Sequence, residues 1–119
     1  MQIKIKNKDY GLNFGVKFVR ELDKIAGMKI ERNGVAQRFG MGVTLTLPSL
    51  NQYDPATLAT VLYCATWDNK NRPNLNDIDD FIDDPDTDLE KVFKDVLNEM
   101  NKANAIKVVV NKQSKNMKA

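Results

Sequence analysis

The chain has 119 residues and a mass of 13.5 kDa, with 42% hydrophobic residues, 29% charged residues and a formal net charge of +2 at pH 7. That is the size and balance of one ordinary globular domain, and it excludes a collagenous, disulfide-knotted or wholly disordered chain. With no histidine and one cysteine, Cys64, there is no imidazole base, no imidazole metal ligand and no intramolecular disulfide.

The opening residues, MQIKIKNKDY, lack an apolar core, so no secretory signal is expected. Ile3 and Ile5 alternate with lysines, and Tyr10 and Leu12 alternate with Asp9 and Gly11, the pattern of a β-hairpin with one apolar face. A loop at Asn7-Lys8 pairs Lys6 with Asp9, Ile5 with Tyr10 and Ile3 with Leu12. A lone hairpin is marginal, so this face must pack on something. The next segment supplies it. Phe14, Phe18, Leu22 and Ile25 follow helical spacing between Asn13, a capping residue type, and Gly27, a stop.

Residues 28–39 centre on Asn33-Gly34, a type I′ hairpin signal. The pairing sets Met28 opposite Phe39 and Arg32 opposite Val35, but leaves Ile30 facing Gln37, so the apolar face is incomplete. Residues 39–50, FGMGVTLTLPSL, alternate like a strand yet also place Val43, Leu47 and Leu50 on one helix face. Pro48 argues against a central strand, which favours a short helix whose early turns tolerate the proline, entered through the permissive Gly40 and Gly42.

Three helices follow. Asp54-Pro55 is an N-cap followed by proline at the first helical position, ahead of a stripe of Leu58, Val61, Leu62 and Ala65. Asn74 or Asn76 starts a short helix with Ile78, Phe81 and Ile82 inward, closed by Pro85. Thr87 and Glu90 form a T-x-x-E capping box before Leu89, Val92, Phe93, Val96, Leu97 and Met100. Past Ala103 the periodicity fades, leaving an isolated Val108–Val110 patch.

The fold class expected is α+β, mostly helical, with an N-terminal β-hairpin and a second candidate hairpin near 28–39 packed on about four to five short helices. Residues 1–104 read as a single globular domain and 105–119 as a basic, flexible C-terminal tail. Cys64 falls inside an apolar helical pattern and reads as a small buried thiol in a reduced compartment.

Charge is blocked along the chain. Residues 1–40 sum to +5, residues 76–90 hold eight acids and no base, and residues 101–119 hold five lysines and no acid. Asp84, Asp86 and Asp88 alternate as in a calcium loop, but Leu89 stands where such a loop needs glycine and Asp95 where it needs glutamate. Carboxylates near helix starts complement the helix dipole, yet eight exceed that need. Asp79, Asp80, Asp83 and Asp84 are therefore candidates for contact with a basic partner or the basic tail.

No phosphate loop or dinucleotide motif is present, and although a carboxylate pair can be drawn from so many aspartates, nothing supplies the sheltered pocket and raised pKa it would need, so no catalytic, cofactor or metal residue and no enzyme activity is expected. The best candidate binding surface is FGMGVTLTL: Phe39, Met41, Val43, Leu45 and Leu47, with an adaptable methionine between glycines. The competing reading makes Val43, Leu45 and Leu47 core and leaves Phe39 and Met41 exposed. The longest uncharged run, Phe39 to Tyr53, is too short and polar to span a bilayer, so no membrane contact is expected.

The order of motifs LNFGVKFVRELDK (12–24), FGMG (39–42), YDPATLATVLYCATW (53–67), IDDFIDD (78–84) and LEKVFKDVLNEMNKAN (89–104) resembles the tail assembly chaperones of long-tailed bacteriophages infecting Gram-positive bacteria, over about residues 2–110. The resemblance implies a non-catalytic protein of the infected cell's cytoplasm, absent from the finished virion. It implies binding to the phage tape-measure protein, keeping that client soluble while tail-tube subunits load around it. It also implies a longer form made by ribosomal frameshifting, through which the major tail protein is met; self-association is a further partner option. The end, NKQSKNMKA, would suit that junction. The family carries no motif of functional residues to transfer one by one. Two other readings stay open. A small nucleic-acid-binding regulator would use the basic first third and the lysines, although the acidic 76–90 stretch would repel phosphates. A permanent structural component of the tail or connector is the second.

Overall fold

In the computed structural model the backbone is described for residues 1–118 apart from 28, 33–34 and 39–40, and the side chains for residues 1–27 and 41–111. Strands β1 (Gln2–Ile5) and β2 (Lys8–Gly11) pair antiparallel, with Ile3 opposite Tyr10 and Ile5 opposite Lys8. The turn is Lys6-Asn7, both left-handed at φ 50° and 66° as a type I′ turn requires. The expected loop at Asn7-Lys8 is thus corrected by one residue, and the pairing by two. The observed register extends the ladder to Leu12, whose N–H donates to the Met1 carbonyl at 2.9 Å. A two-residue shift keeps every side chain on its face, so Ile3 and Ile5 still enter the core.

Helix α1 (Val16–Ala26) starts at Gly15 rather than Asn13. The Asn13 side chain instead accepts from the Gly15 N–H at 3.0 Å, forming the turn that leads in. Phe14, Phe18 and Leu22 are buried, with Phe14 edge-on to Phe18, but Ile25 at the helix's end is exposed. Strands β3 (Lys29–Arg32) and β4 (Val35–Arg38) pair with Arg32 opposite Val35 and Ile30 opposite Gln37, the expected register. The Asn33-Gly34 turn and the Met28–Phe39 pair lie outside the described residues.

Helix α2 (Gly42–Asn51) is the short helix expected, but Pro48 sits in its second half, not its early turns. The proline ring is exposed, but inside the helix it gives the Thr44 carbonyl no N–H and crowds it, so the ladder is weakened there. Helix α3 (Pro55–Ala65) is capped by Asp54, whose carboxylate accepts from the Ala56 N–H at 3.0 Å. It carries no charged residue and buries six of its eleven side chains, which makes it the central helix. Helix α4 (Leu75–Asp83) opens with a reciprocal capping box between Asn74 and Asp77. Helix α5 (Leu89–Lys102) is capped by Asp88, not by the expected Thr87. The Thr87 hydroxyl donates to the Phe81 carbonyl at 2.7 Å, closing α4 instead.

The expected break after residue 104 is not where the packing ends. Helix α6 (Asn104–Lys118) follows Ala103 directly, and its Ile106 is fully buried. Six helices and two hairpins thus make up the described residues, with one contiguous core running from Ile3 to Ile106. α2 packs on α1, α3, α5 and α6, and β1 rests against α4. Side chains of the 66–72 segment tie the layers together. The Asn69 carboxamide pairs with the Gly11 backbone, accepting at 3.2 Å and donating at 2.8 Å. Trp67 Nε1 donates to the Asn13 carbonyl at 3.2 Å. The Arg72 guanidinium lies over the Tyr63 ring and donates to the Tyr63 carbonyl at 2.6 Å.

Candidate functional site

Helix α2 contains no charged residue, and between Phe39 and Trp67 the one charge is Asp54. In α3 that absence follows from burial. In α2 it does not. Val43, Thr46, Leu47 and Leu50 face the core, and steps of about 100° per residue place Met41, Leu45 and Pro48 on the opposite side. Met41 is 46% exposed and Leu45 44%, and Pro48 is exposed with them. An outward helix face normally carries lysine or glutamate; this one offers solvent an uncharged, largely apolar strip.

The strip is rigidly placed at its leading end. The Asp23 carboxylate on α1 accepts from the Gly42 N–H at 2.8 Å, capping α2 from a neighbouring helix. α1 passes so close that a Cβ on Gly42 would meet its backbone at 3.0 Å. Met41, the residue before α2, holds a left-handed φ of 65°. Of the five apolar residues expected to form this surface, Met41 and Leu45 are therefore outward. Val43 and Leu47 are core, and Phe39 lies outside the described residues. The Asp23 cap was not legible in the sequence, because a carboxylate on a polar helix face gives no sign of which neighbour it serves.

The four candidate aspartates divide. Asp79, Asp80 and Asp83 stand exposed on α4, whose last turn holds no base. Carboxylates there oppose the helix dipole and one another. Asp84 accepts from the Asp86 N–H at 2.9 Å and shapes the α4–α5 turn. Nearby, Lys6 donates to Asp77 at 2.9 Å, joining the first hairpin to α4. That hydrogen bond holds the Asp77 carboxyl below its ordinary range, helped by the Asn74 backbone, and raises the Lys6 ammonium above its own.

The hollows lie elsewhere. An open cleft of about 520 Å³ between β1 and the α4–α5 turn is lined by Lys4, Lys6, Asp84, Asp88, Lys91 and Asp95 among others. Its walls alternate in charge. Cys64 is fully buried, and burial pushes its thiol up to about 12, so it stays protonated at neutral pH. Among the described residues no cluster of three or more metal-ligating side chains occurs, and no helix is long and apolar enough to cross a membrane.

A family model described as "Phage tail assembly chaperone protein, TAC" matches residues 2–115. Comparison with curated proteins and with solved structures gives no match.

Proposed function

The chain belongs to the phage tail assembly chaperone family, and from that premise we propose that it is a non-catalytic holder of the tape-measure protein, which it keeps soluble while the tail tube assembles. The observation that carries this reading is the uncharged outward face of α2. A holding chaperone needs an apolar surface that masks a client's apolar stripe, and charge elsewhere to keep the pair in solution. Met41, Leu45 and Pro48 supply the first; the exposed carboxylates of α4 and the lysines of α6 supply the second. The strip is convex, so it suits helix-on-helix docking rather than capture of a small molecule in a pocket. Several copies along one long client would make weak individual contacts sufficient. In this reading the protein acts in the host cytoplasm during infection and leaves before the particle is finished. A longer frameshifted form would bring in the major tail protein.

Co-expression tests it. The tape-measure protein should be soluble with the wild-type chaperone, insoluble alone, and insoluble with Leu45→Asp, whose circular dichroism spectrum and melting temperature should match the wild type. Solubility unchanged by Leu45→Asp would remove α2 from the role. Recovery of the chain in purified virions would favour a structural tail component instead.

A further inference from the structure

The first hairpin has a free edge. The Leu12 N–H donates to the Met1 carbonyl, so Met1 and Leu12 are a hydrogen-bonded pair. Bonded and non-bonded pairs alternate along an antiparallel ladder. Ile3 and Ile5 therefore turn their backbone groups to β2, and Gln2 and Lys4 turn theirs away from it. The hairpin's hydrogen bonds to the rest of the chain come from the Lys6 side chain and the Gly11 backbone; among the described residues none reaches the Gln2 or Lys4 backbone. That edge opens into the cleft of about 520 Å³, whose lining includes Gln2, Ile3 and Lys4 of β1 and no residue of β2. Across the cleft, Phe81 and Val92 are half-buried against the core, while Asp84, Asp86 and Asp88 are exposed. Two of the cleft's lysines are already paired, Lys6 with Asp77 and Lys91 with Asp95, each at 2.9 Å. Lys4 is left facing three carboxylates that form no ion pair among the described residues.

We propose that the edge of β1 takes an extended segment of another polypeptide as a third strand, with lysine or arginine side chains that answer the carboxylates of the α4–α5 turn. Only an extended chain repeats N–H and C=O groups at the two-residue spacing that Gln2 and Lys4 present, about 7 Å. A helix satisfies its own backbone, and a nucleic acid would bring phosphates against the carboxylates. The occupant is therefore a different segment from any helix held on α2. Apolar side chains of the added strand would cover Phe81 and Val92, and its bases would meet the unpaired acids. A second copy of β1 is disfavoured there, because it would bring another Lys4 to the same ladder.

The test uses the isotope-labelled full chain and three short synthetic peptides: alternating lysine and valine, alternating glutamate and valine, and the lysine peptide N-methylated along its backbone. On titration to millimolar peptide, the lysine peptide should bind and protect the Lys4 amide from hydrogen exchange. The glutamate peptide should bind about tenfold more weakly, as a few exposed ion pairs allow. The N-methylated peptide keeps its charge but has no N–H to donate, and should not bind. Lys4→Pro removes an N–H that faces away from β2, so it should keep the circular dichroism spectrum and lose the lysine peptide. Asp84→Asn with Asp86→Asn, which keeps the turn's hydrogen-bond acceptors, should abolish the preference for lysine over glutamate and decides the matter if Lys4→Pro does not fold. No binding of the lysine peptide, equal binding of its N-methylated form, or equal binding of the glutamate peptide to the wild type would each overturn the proposal. Protection of the Lys4 amide that grows with protein concentration alone would give the edge to a second copy and overturn it too. Leu45→Asp should leave this binding unchanged, so the edge of β1 and the α2 strip stand or fall separately.

Discussion

Gly42 is the point where α1 and α2 touch, and it has no room for a side chain. An added Cβ would come to 2.8 Å from Asp23 Oδ1 and 3.0 Å from the backbone of Leu22 and Asp23. Backbone cannot yield as a flexible side chain does, so Gly42→Ala is expected to destabilise the fold by about 1–3 kcal/mol in denaturant melts. Asp23→Ala removes the carboxylate that serves the α2 amide and should cost about 1 kcal/mol, the range of a lost N-cap. Equal stability of both variants and wild type would contradict this account of the junction. Cys64 makes the opposite kind of prediction. Buried, with its thiol held at about 12, it should resist alkylation in the native protein and react at once in denaturant. Its burial was legible from the apolar pattern around it. The Gly42 contact was not, because FGMG says only that the backbone is permissive there, while the reason for the glycine is a helix about nineteen residues earlier in the chain.

At the scale of elements, the sequence carried most of the secondary structure through two devices: apolar spacing and capping chemistry. Asp54-Pro55 and Asn74 start α3 and α4 because a carboxylate or carboxamide can take the orphan N–H groups. The misses share a cause. Where neighbouring residues could both do a job, tertiary contacts decided. Thr87 and Asp88 can each cap α5; Thr87 is drawn to the Phe81 carbonyl, so Asp88 caps. Lys6-Asn7 and Asn7-Lys8 can each form the first turn, and both keep Ile3 and Ile5 inward. The observed turn leaves the Lys6 ammonium on Asp77, which ties the hairpin to α4. Asp77 has its carboxyl lowered from 3.8 and Lys6 its ammonium raised from 10.5. The carboxyl contributes above 3.8 and loses its contribution as pH falls through its lowered value; the ammonium contributes below 10.5 and loses it as pH rises through its raised value. The stability difference between wild type and Lys6→Met should therefore be flat across the middle of that window and close at both ends. A difference that persists in acid would show that the lysine acts through packing instead.

At the scale of the whole molecule, charge and packing are polarised together. Acids gather on α4 and the turn after it and bases on α1 and α6, and the uncharged α2 packs on both of those helices as well as on α3 and α5. The charge blocks were visible in the sequence; the return of α6 onto the core was not. The fading periodicity after Ala103 hid that return, because Ile106 is the single fully buried side chain there among the described residues, while Val108 is 65% exposed. Ile106→Ala should cost about 2–5 kcal/mol and Val108→Ala within about 0.5 kcal/mol of nothing. Equal effects would mean α6 is not part of the core.

The role assigned to α2 is open to a direct check by photo-crosslinking. A photoreactive amino acid at position 45, and separately at position 83, would be introduced into the chain co-expressed with its proposed client, the tape-measure protein. Covalent adducts with the client from position 45 and none from position 83 are the result predicted; adducts from position 83 alone would place the client on the acidic helix and contradict it.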